Sequence, residues 1–191
     1  LGQSSWTQAM TGITSAVVPI YVATAQNDAN TAYVAGGSLN GENANSNTCT
    51  IPSGGTLTIV GATAKSIGDY SSTSNGRRLV NNGTGTWSGA GLTGYWTPQL
   101  INNNLFSITS DLTYAWGGAG SAPWLINNGT FNLTSGTDFT LNTINFTNNG
   151  AFNITGGSLT MGGGSGGCVG VNNGALNLDA GSILNANVGA F

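Results

Sequence analysis

The chain has 191 residues and a mass of 19.1 kDa, enough for one domain with its own core. Only 5% of the residues are charged, and six acids against three bases give a net charge of −3. So few bases argue against nucleic acid or an anionic membrane surface as a partner, because both bind through basic clusters. A hydrophobic share of 39% argues against disorder, and without an apolar run of about 18 residues we expect no membrane span.

Two segments precede the repeated part of the chain. Residues 1–48 show no repeat, and we predict that they form an N-terminal cap or an assembly arm, since the ends of a repeat array need cover. Residues 49–79 contain a Pro-Ser-Gly-Gly turn at positions 52–55, followed by a run of alternating apolar residues. We predict one or two irregular leading coils over this second segment.

Five repeats fill residues 80–191. Their first residues, spaced 21, 25, 21 and 24 positions apart, are Val80, Ile101, Ile126, Thr147 and Val171. A unit of this length cannot bury its own apolar face, so such units stack into a solenoid. Within each unit the sixth and eighth positions are mostly apolar and the seventh is small or polar, which is typical of a strand with one buried face.

The repeat predicts an all-β fold, a parallel β-helix (β-solenoid) whose coils have about 21–25 residues and two or three short strands each. We predict five such coils over residues 80–191. Helices are disfavoured, because the repeats are rich in Thr, Asn, Ser and Gly. A β-sandwich is the stronger alternative. It does not explain why the same corner recurs at coil-length intervals.

Each repeat carries a pair of asparagines at its second and third positions, followed by glycine in four of the five repeats. We predict a positive φ at this glycine, for which Asn104 substitutes in the second repeat. Each asparagine either serves only the turn or stacks on its equivalents in ladders along the solenoid axis, and we favour the ladders. The ten residues of these ladders are Asn81, Asn82, Asn102, Asn103, Asn127, Asn128, Asn148, Asn149, Asn172 and Asn173.

The two cysteines, Cys49 and Cys168, lie several coils apart in a linear solenoid. A separation of about 20 Å exceeds the reach of a disulfide bond, which joins Cα atoms less than about 7 Å apart. Three alternatives remain open. Both thiols are free and packed, an N-terminal segment folds back along the solenoid, or the two residues form a bond between stacked subunits.

The residues that usually carry catalysis are scarce, so we predict no enzyme, no cofactor and no metal site. Histidine is absent, and residues 80–191 contain no Lys or Arg. Glycoside hydrolysis needs two cooperating carboxylates. The acids of the repeats, which occupy different register positions and which we interpret as turn residues, are Asp111, Asp138 and Asp179.

Three further patterns concern the surface. Asn132 and Asn153 belong to Asn-x-Ser/Thr sequons at the outward seventh position and are candidates for glycosylation. Thr-x-Thr pairs at 56/58 and 84/86 suggest a flat hydroxyl array, as in ice-binding solenoids, but we do not expect them to align between coils. Sugar binding is a third alternative, provided that tryptophan rings face outward. We place the ring of Trp87 in the core. The tryptophans considered are Trp87, Trp96, Trp116 and Trp124.

Residues 80–191 contain the motifs Asn-Asn-Gly-x-Phe-Asn-Leu-Thr and Gly-Gly-Ser-Leu-Thr. In these motifs the chain resembles the parallel β-helix stalks of secreted bacterial surface proteins. The nearest types are autotransporter passenger domains and filamentous-haemagglutinin-like adhesins. The resemblance implies an extracellular, rigid, adhesive or scaffolding role. The chain differs from these families in lacking a long uninterrupted run of coils and a membrane-anchoring barrel.

Together these patterns predict an extracellular or cell-surface structural or adhesive protein. We expect it to stack head to tail on copies of itself into a filament or stalk, because the last repeat reaches Phe191 without a cap. The expected partners are the chain itself and a surface glycan or a host or cell receptor. The alternative is a β-helix domain that binds or cleaves carbohydrate.

Overall fold

The computed structural model describes residues 31–34, 37–39, 48–62, 65–67, 77–134, 136–163 and 168–187. Within these ranges the chain is all-β, with twenty short strands (β1 to β20) and no helix. Because these residues include no helix, they contain no helix that could cross a membrane. Every strand pairing is parallel, and the strands stack in coils as the sequence predicts for a β-solenoid.

Successive strands occupy three faces in rotation. Face 1 consists of β1 Thr31–Val34, β4 Thr56–Ile59, β7 Thr84–Trp87, β10 Leu105–Ile108, β13 Thr130–Leu133, β16 Ala151–Ile154 and β19 Ala175–Leu178. Face 2 consists of β2 Gly37–Leu39, β5 Lys65–Ile67, β8 Leu92–Gly94, β11 Leu112–Trp116, β14 Asp138–Asn142, β17 Ser158–Gly162 and β20 Ile183–Ala186. Face 3 consists of β3 Thr48–Ile51, β6 Arg78–Asn81, β9 Gln99–Asn102, β12 Trp124–Asn127, β15 Asn145–Asn148 and β18 Gly170–Asn172.

The described solenoid therefore has six coils of three strands and a seventh coil of two strands. It extends further toward the N-terminus than the sequence predicts, because β1 and β2 pair in register with β4 and β5. Residues 31–48, predicted to belong to a cap or arm, thus contribute strands to the first coil. The leading coils over 49–79 are irregular in sequence, yet their strands stay in register with those of the repeats. Residues 1–30 lie outside the described residues.

Face 1 follows the predicted alternation between buried and outward residues. Its inward residues form a column of phenylalanines in which the ring centroids of Phe106 and Phe131 are 5.1 Å apart and those of Phe131 and Phe152 are 4.9 Å apart. Gly85 occupies this column one coil earlier, and a β-carbon there would overlap the ring of Phe106. Gly85 thus leaves room for the Phe106 ring, and the core runs continuously along the axis.

Tyr114 of β11 lies inside the solenoid and is fully buried. Its hydroxyl has no hydrogen-bond partner, and burial raises the pKa of this phenol well above its ordinary value. A buried hydroxyl without a partner costs free energy. We expect Tyr114→Phe to increase the free energy of unfolding by about 1 kcal/mol, measured by urea denaturation.

The same pair of proteins tests the pKa of Tyr114. Above about pH 10 the unfolded wild-type chain releases the phenolic proton while the folded chain retains it, so the stability of the wild type falls as pH rises. The advantage of Tyr114→Phe should therefore grow above that pH. An advantage that is absent at neutral pH and does not grow in alkali would contradict this description of Tyr114.

Candidate assembly site

The ten predicted asparagines come together along one edge of face 3 in two ladders. The inner ladder contains the first asparagine of each corner. Its Nδ2 atoms donate to the Oδ1 atom one coil further on, at 2.9, 2.8, 2.7 and 2.8 Å. The rungs, of which the first four are completely buried, are Asn81, Asn102, Asn127, Asn148 and Asn172.

Each inner rung also bonds to the backbone, as Asn127 shows. Its Oδ1 accepts from Asn102, and its Nδ2 reaches Asn148 Oδ1 at 2.7 Å, the Ala151 carbonyl at 2.9 Å and the Gly129 carbonyl at 3.1 Å. The Gly129 carbonyl belongs to the turn after Asn127, and the Ala151 carbonyl belongs to β16, the face 1 strand one coil further on. The rung thus joins two faces and two coils while satisfying a buried amide.

The outer ladder contains the second asparagine of each corner and donates in the opposite axial direction. Each Nδ2 atom bonds to the Oδ1 atom one coil earlier, at 2.7, 2.8, 2.8 and 3.0 Å. The members, most of which are exposed, are Asn82, Asn103, Asn128, Asn149 and Asn173. Because water can replace these bonds, the outer ladder contributes less to stability than the inner one.

The predicted positive φ at the corner glycine is wrong. Gly83, Gly129, Gly150 and Gly174 all have negative φ. Glycine is favoured there because a β-carbon would overlap the carbonyl oxygen of the corner residue one coil earlier unless the two corners separate. At Asn104, where a β-carbon is present, the Leu105 N–H to Gly83 carbonyl bond lengthens to 3.4 Å, compared with 2.6–2.9 Å in the equivalent coils.

A third, shorter ladder lies on the outer surface of face 1 and includes both glycosylation candidates. Asn177 donates to Asn153, and Asn153 donates to Asn132, both at 2.7 Å. A glycan on Asn153 would compete with the second bond. The ladder lines one side of a shallow, open depression of about 540 Å³. The residues two positions further along each strand line the other side, and they are Thr134, Thr155 and Asp179.

The last described coil presents exposed apolar side chains at its axial edge. Leu178 is 44% exposed, whereas its equivalents Leu133 and Ile154 are at most 1% exposed. Leu184 of β20 is partly exposed, whereas its equivalent Leu159 is completely buried. Asn172 is also exposed, and its Nδ2 bonds to the Gly174 carbonyl of its own turn, without the bond to a further coil that the earlier rungs make. In the described part of the chain, the strands at this edge are therefore the last of their sheets and pair on one side only.

The cysteines lie at opposite ends of face 3. Cys49 belongs to β3, the first strand of that sheet, and Cys168 lies two residues before β18, the last. Five strand spacings separate these strands by about 24 Å, too far for a bond within the chain. Cys168 is a free, buried thiol, and burial raises its pKa. This arrangement excludes a fold-back pairing and leaves the free-thiol and inter-subunit alternatives.

Two of the three repeat acids make structural bonds. Asp111 accepts the backbone N–H of Asp138 at 2.9 Å, and the Asp138 carboxylate accepts the Ser158 hydroxyl at 2.7 Å. These bonds link the starts of neighbouring face 2 strands. Asp138 is the first residue of β14 and not a turn residue, and Asp111 lies opposite it, so the prediction that these two acids occupy different register positions is wrong. No group of three potential metal ligands occurs among the described residues. Asp28, Glu42 and Asp69 lie outside them.

The threonine pairs align, contrary to prediction. Thr56 and Thr58 stand directly opposite Thr84 and Thr86 in adjacent strands. One pair lies in the irregular leading segment and the other in a repeat, so the repeat pattern alone does not reveal their common register. The array ends one coil later, where Leu105 and Ser107 occupy the two positions, so it is two coils long.

The tryptophans divide between core and surface. Trp87 is fully buried, as predicted, and its ring lies edge-on to Tyr114 and Phe139. The others are partly exposed, and they are Trp96, Trp116 and Trp124. Trp96 and the following residue, Thr97, adopt φ of 62° and 58°, which is unusual for residues with side chains.

No protein-family model, curated protein or solved structure matches this chain. The function therefore has to follow from the geometry of the ladders, the coil edge and the partly exposed aromatic residues.

Proposed function

We propose that this protein is a structural or adhesive solenoid that works outside the cell or at its surface and stacks end to end with copies of itself. The observation that carries the proposal is the edge of the seventh coil. There, Leu178 is exposed at a position that is buried in the preceding coils. Unpaired strands at such an edge are templates for another coil.

The body of the solenoid suits a load-bearing or spacing role. Six steps of about 4.8 Å between seven coils give an axial length of about 29 Å. The phenylalanine column and the amide ladders run through several consecutive coils, so adjacent coils are tied by both core packing and hydrogen bonds. With few ionisable groups, stability should vary little with pH over the physiological range, which suits a protein exposed to the environment.

The partner that we propose for the seventh coil is the first coil of another copy. That coil presents strands on all three faces in the same rotation, so its edge offers parallel partners for β18, β19 and β20. Ile51 stands in the column that the inner ladder occupies in later coils. The ladder would end at the joint, which would then depend on backbone pairing and apolar contact, and we expect it to be weaker than the contacts between coils within a chain.

This proposal predicts association that depends on protein concentration. We expect the purified chain to form linear oligomers over about a hundredfold range of concentration, followed by sedimentation velocity and negative-stain electron microscopy. The variant Leu178→Asp should weaken association at least about tenfold, because it places a charge on the apolar edge.

The matched control is Thr113→Asp, which places a carboxylate on an exposed position at the side of face 2. It should leave association unchanged. A wild-type chain that stays monomeric at the highest concentration would refute end-to-end stacking. Equal effects of the edge and side variants would also refute it, because they would point to a lateral contact.

A further inference from the structure

Three aromatic side chains form a partly exposed cluster at the turn between faces 2 and 3, which we call the aromatic corner. It consists of Tyr95 and Trp96 in one coil and Trp116 in the next. All three are partly exposed, whereas the aromatic rings of the core, such as Trp87, Tyr114 and Phe131, are completely buried. The corner is thus a distinct feature of the surface and not an extension of the core.

Glycines and backbone bonds hold the corner in place. The ring of Tyr95 lies directly against Gly117, and Trp96 lies against Gly120, so that a β-carbon at either glycine would overlap the aromatic residue. The Ala119 carbonyl accepts two hydrogen bonds, from the Trp96 N–H at 3.0 Å and from Trp116 Nε1 at 3.1 Å. One carbonyl therefore couples the two tryptophans across adjacent coils.

The backbone of the corner is strained. Trp96 and Thr97 are consecutive left-handed residues, and each such conformation costs about 1 kcal/mol or more in a residue with a side chain. Hydrogen bonds to the next coil maintain this geometry, including one from the Thr97 N–H to the Ser121 carbonyl at 3.3 Å. Strain of this kind concentrates at binding sites, where it fixes side chains in the orientation that a ligand needs.

The chemistry of the corner selects the class of ligand. Residues 92–98 and 114–124 contain no charged residue, so neither a cation nor a phosphate finds a counter-charge on these segments. Indole and phenol rings offer apolar faces with negative potential beside polar edges. A neutral sugar matches this surface, because its C–H groups stack on a ring while its hydroxyls bond to nearby carbonyls and to the hydroxyls of Thr97 and Ser121.

We propose that the aromatic corner is a binding site for a neutral carbohydrate. This inference rests on the proposed function, because it names the class of ligand that the adhesive role would require. Its open position at the side of the solenoid suits a chain of sugar units passing over the corner more than a small molecule enclosed in a pocket. Binding at this site requires no contact with the coil edge at which subunits stack.

The test begins with the intact chain on an array of neutral glycans that includes β-glucan, xylan, mannan, galactan and chitin oligomers. An oligosaccharide that binds is then titrated in solution by isothermal calorimetry and by tryptophan fluorescence. We expect Trp96→Ala to weaken binding at least about tenfold. Trp116→Phe keeps a ring but loses the bond to Ala119, and we expect a smaller loss of affinity.

Two controls separate this proposal from the others. Far-UV circular dichroism and the thermal midpoint establish that each variant is folded, and the milder Trp116→Phe keeps the test valid if Trp96→Ala does not fold. The edge variant Leu178→Asp should bind the oligosaccharide as the wild type does, even where it no longer assembles. The proposal is overturned if no neutral glycan binds, if only a protein partner binds, or if folded corner variants keep wild-type affinity.

Discussion

Asn127→Ala should lower the free energy of unfolding by about 3 kcal/mol or more. Asn127 is a completely buried rung in the middle of the inner ladder. Its removal takes an acceptor from Asn102 and a donor from Asn148 and from the Ala151 carbonyl, and it leaves a cavity between two faces. Urea denaturation followed by circular dichroism measures the loss.

Asn128→Ala is the matched control, because it removes the neighbouring asparagine of the same corner. Asn128 is exposed, and its two ladder bonds, to Asn103 and from Asn149, compete with water. We expect a loss below about 1 kcal/mol. Similar losses for the two variants would mean that burial does not distinguish the ladders, and the role assigned to the inner ladder would be wrong.

A β-carbon at Gly150 should strain the stack at the corner. It would overlap the carbonyl oxygen of Gly129, the corner residue one coil earlier. The two corners would have to separate, as they do around Asn104, where the bond from the Leu105 N–H to the Gly83 carbonyl lengthens to 3.4 Å. We expect Gly150→Ala to lower the free energy of unfolding by about 1–3 kcal/mol.

Gly162→Ala separates this steric effect from the general effect of replacing glycine. Gly162 also has negative φ, but a β-carbon there would meet the Asn187 β-carbon at an ordinary distance of 3.4 Å. The change should be close to neutral, because alanine also restricts the unfolded chain. Thermal unfolding of the two variants provides the comparison. A Gly150→Ala protein as stable as Gly162→Ala would show that the corner can relax around a side chain.

The interval between repeats and the alternation within them were sufficient to predict the fold. Phe131 and Leu133 are buried, and Asn132 between them faces outward, as period-two alternation requires. The start of the solenoid could not be predicted in the same way. Residues 31–39 do not resemble the repeats, and only pairing with β4 and β5 shows that they continue the stack.

The amide ladders illustrate how far sequence reasoning extends toward a site. Recurrence of two asparagines predicted that they would lie one above the other. It did not predict that the first would be buried and the second exposed, or that the two ladders would donate in opposite directions. These properties depend on where the chain turns relative to the core, which is set by all three faces together.

The architecture follows from the amino-acid sequence, because units of this length with alternating apolar residues bury those residues by stacking on one another. The reason why particular residues stand at the corners lies in contacts between coils. Gly150 is favoured by a carbonyl that lies 21 residues earlier in the chain but one strand away in space. Trp96 and Trp116 are linked because the backbone N–H of the first and the ring N–H of the second both donate to the Ala119 carbonyl. Contacts between coils join residues that no local pattern relates, and such contacts produce both the edge and the corner proposed as functional surfaces.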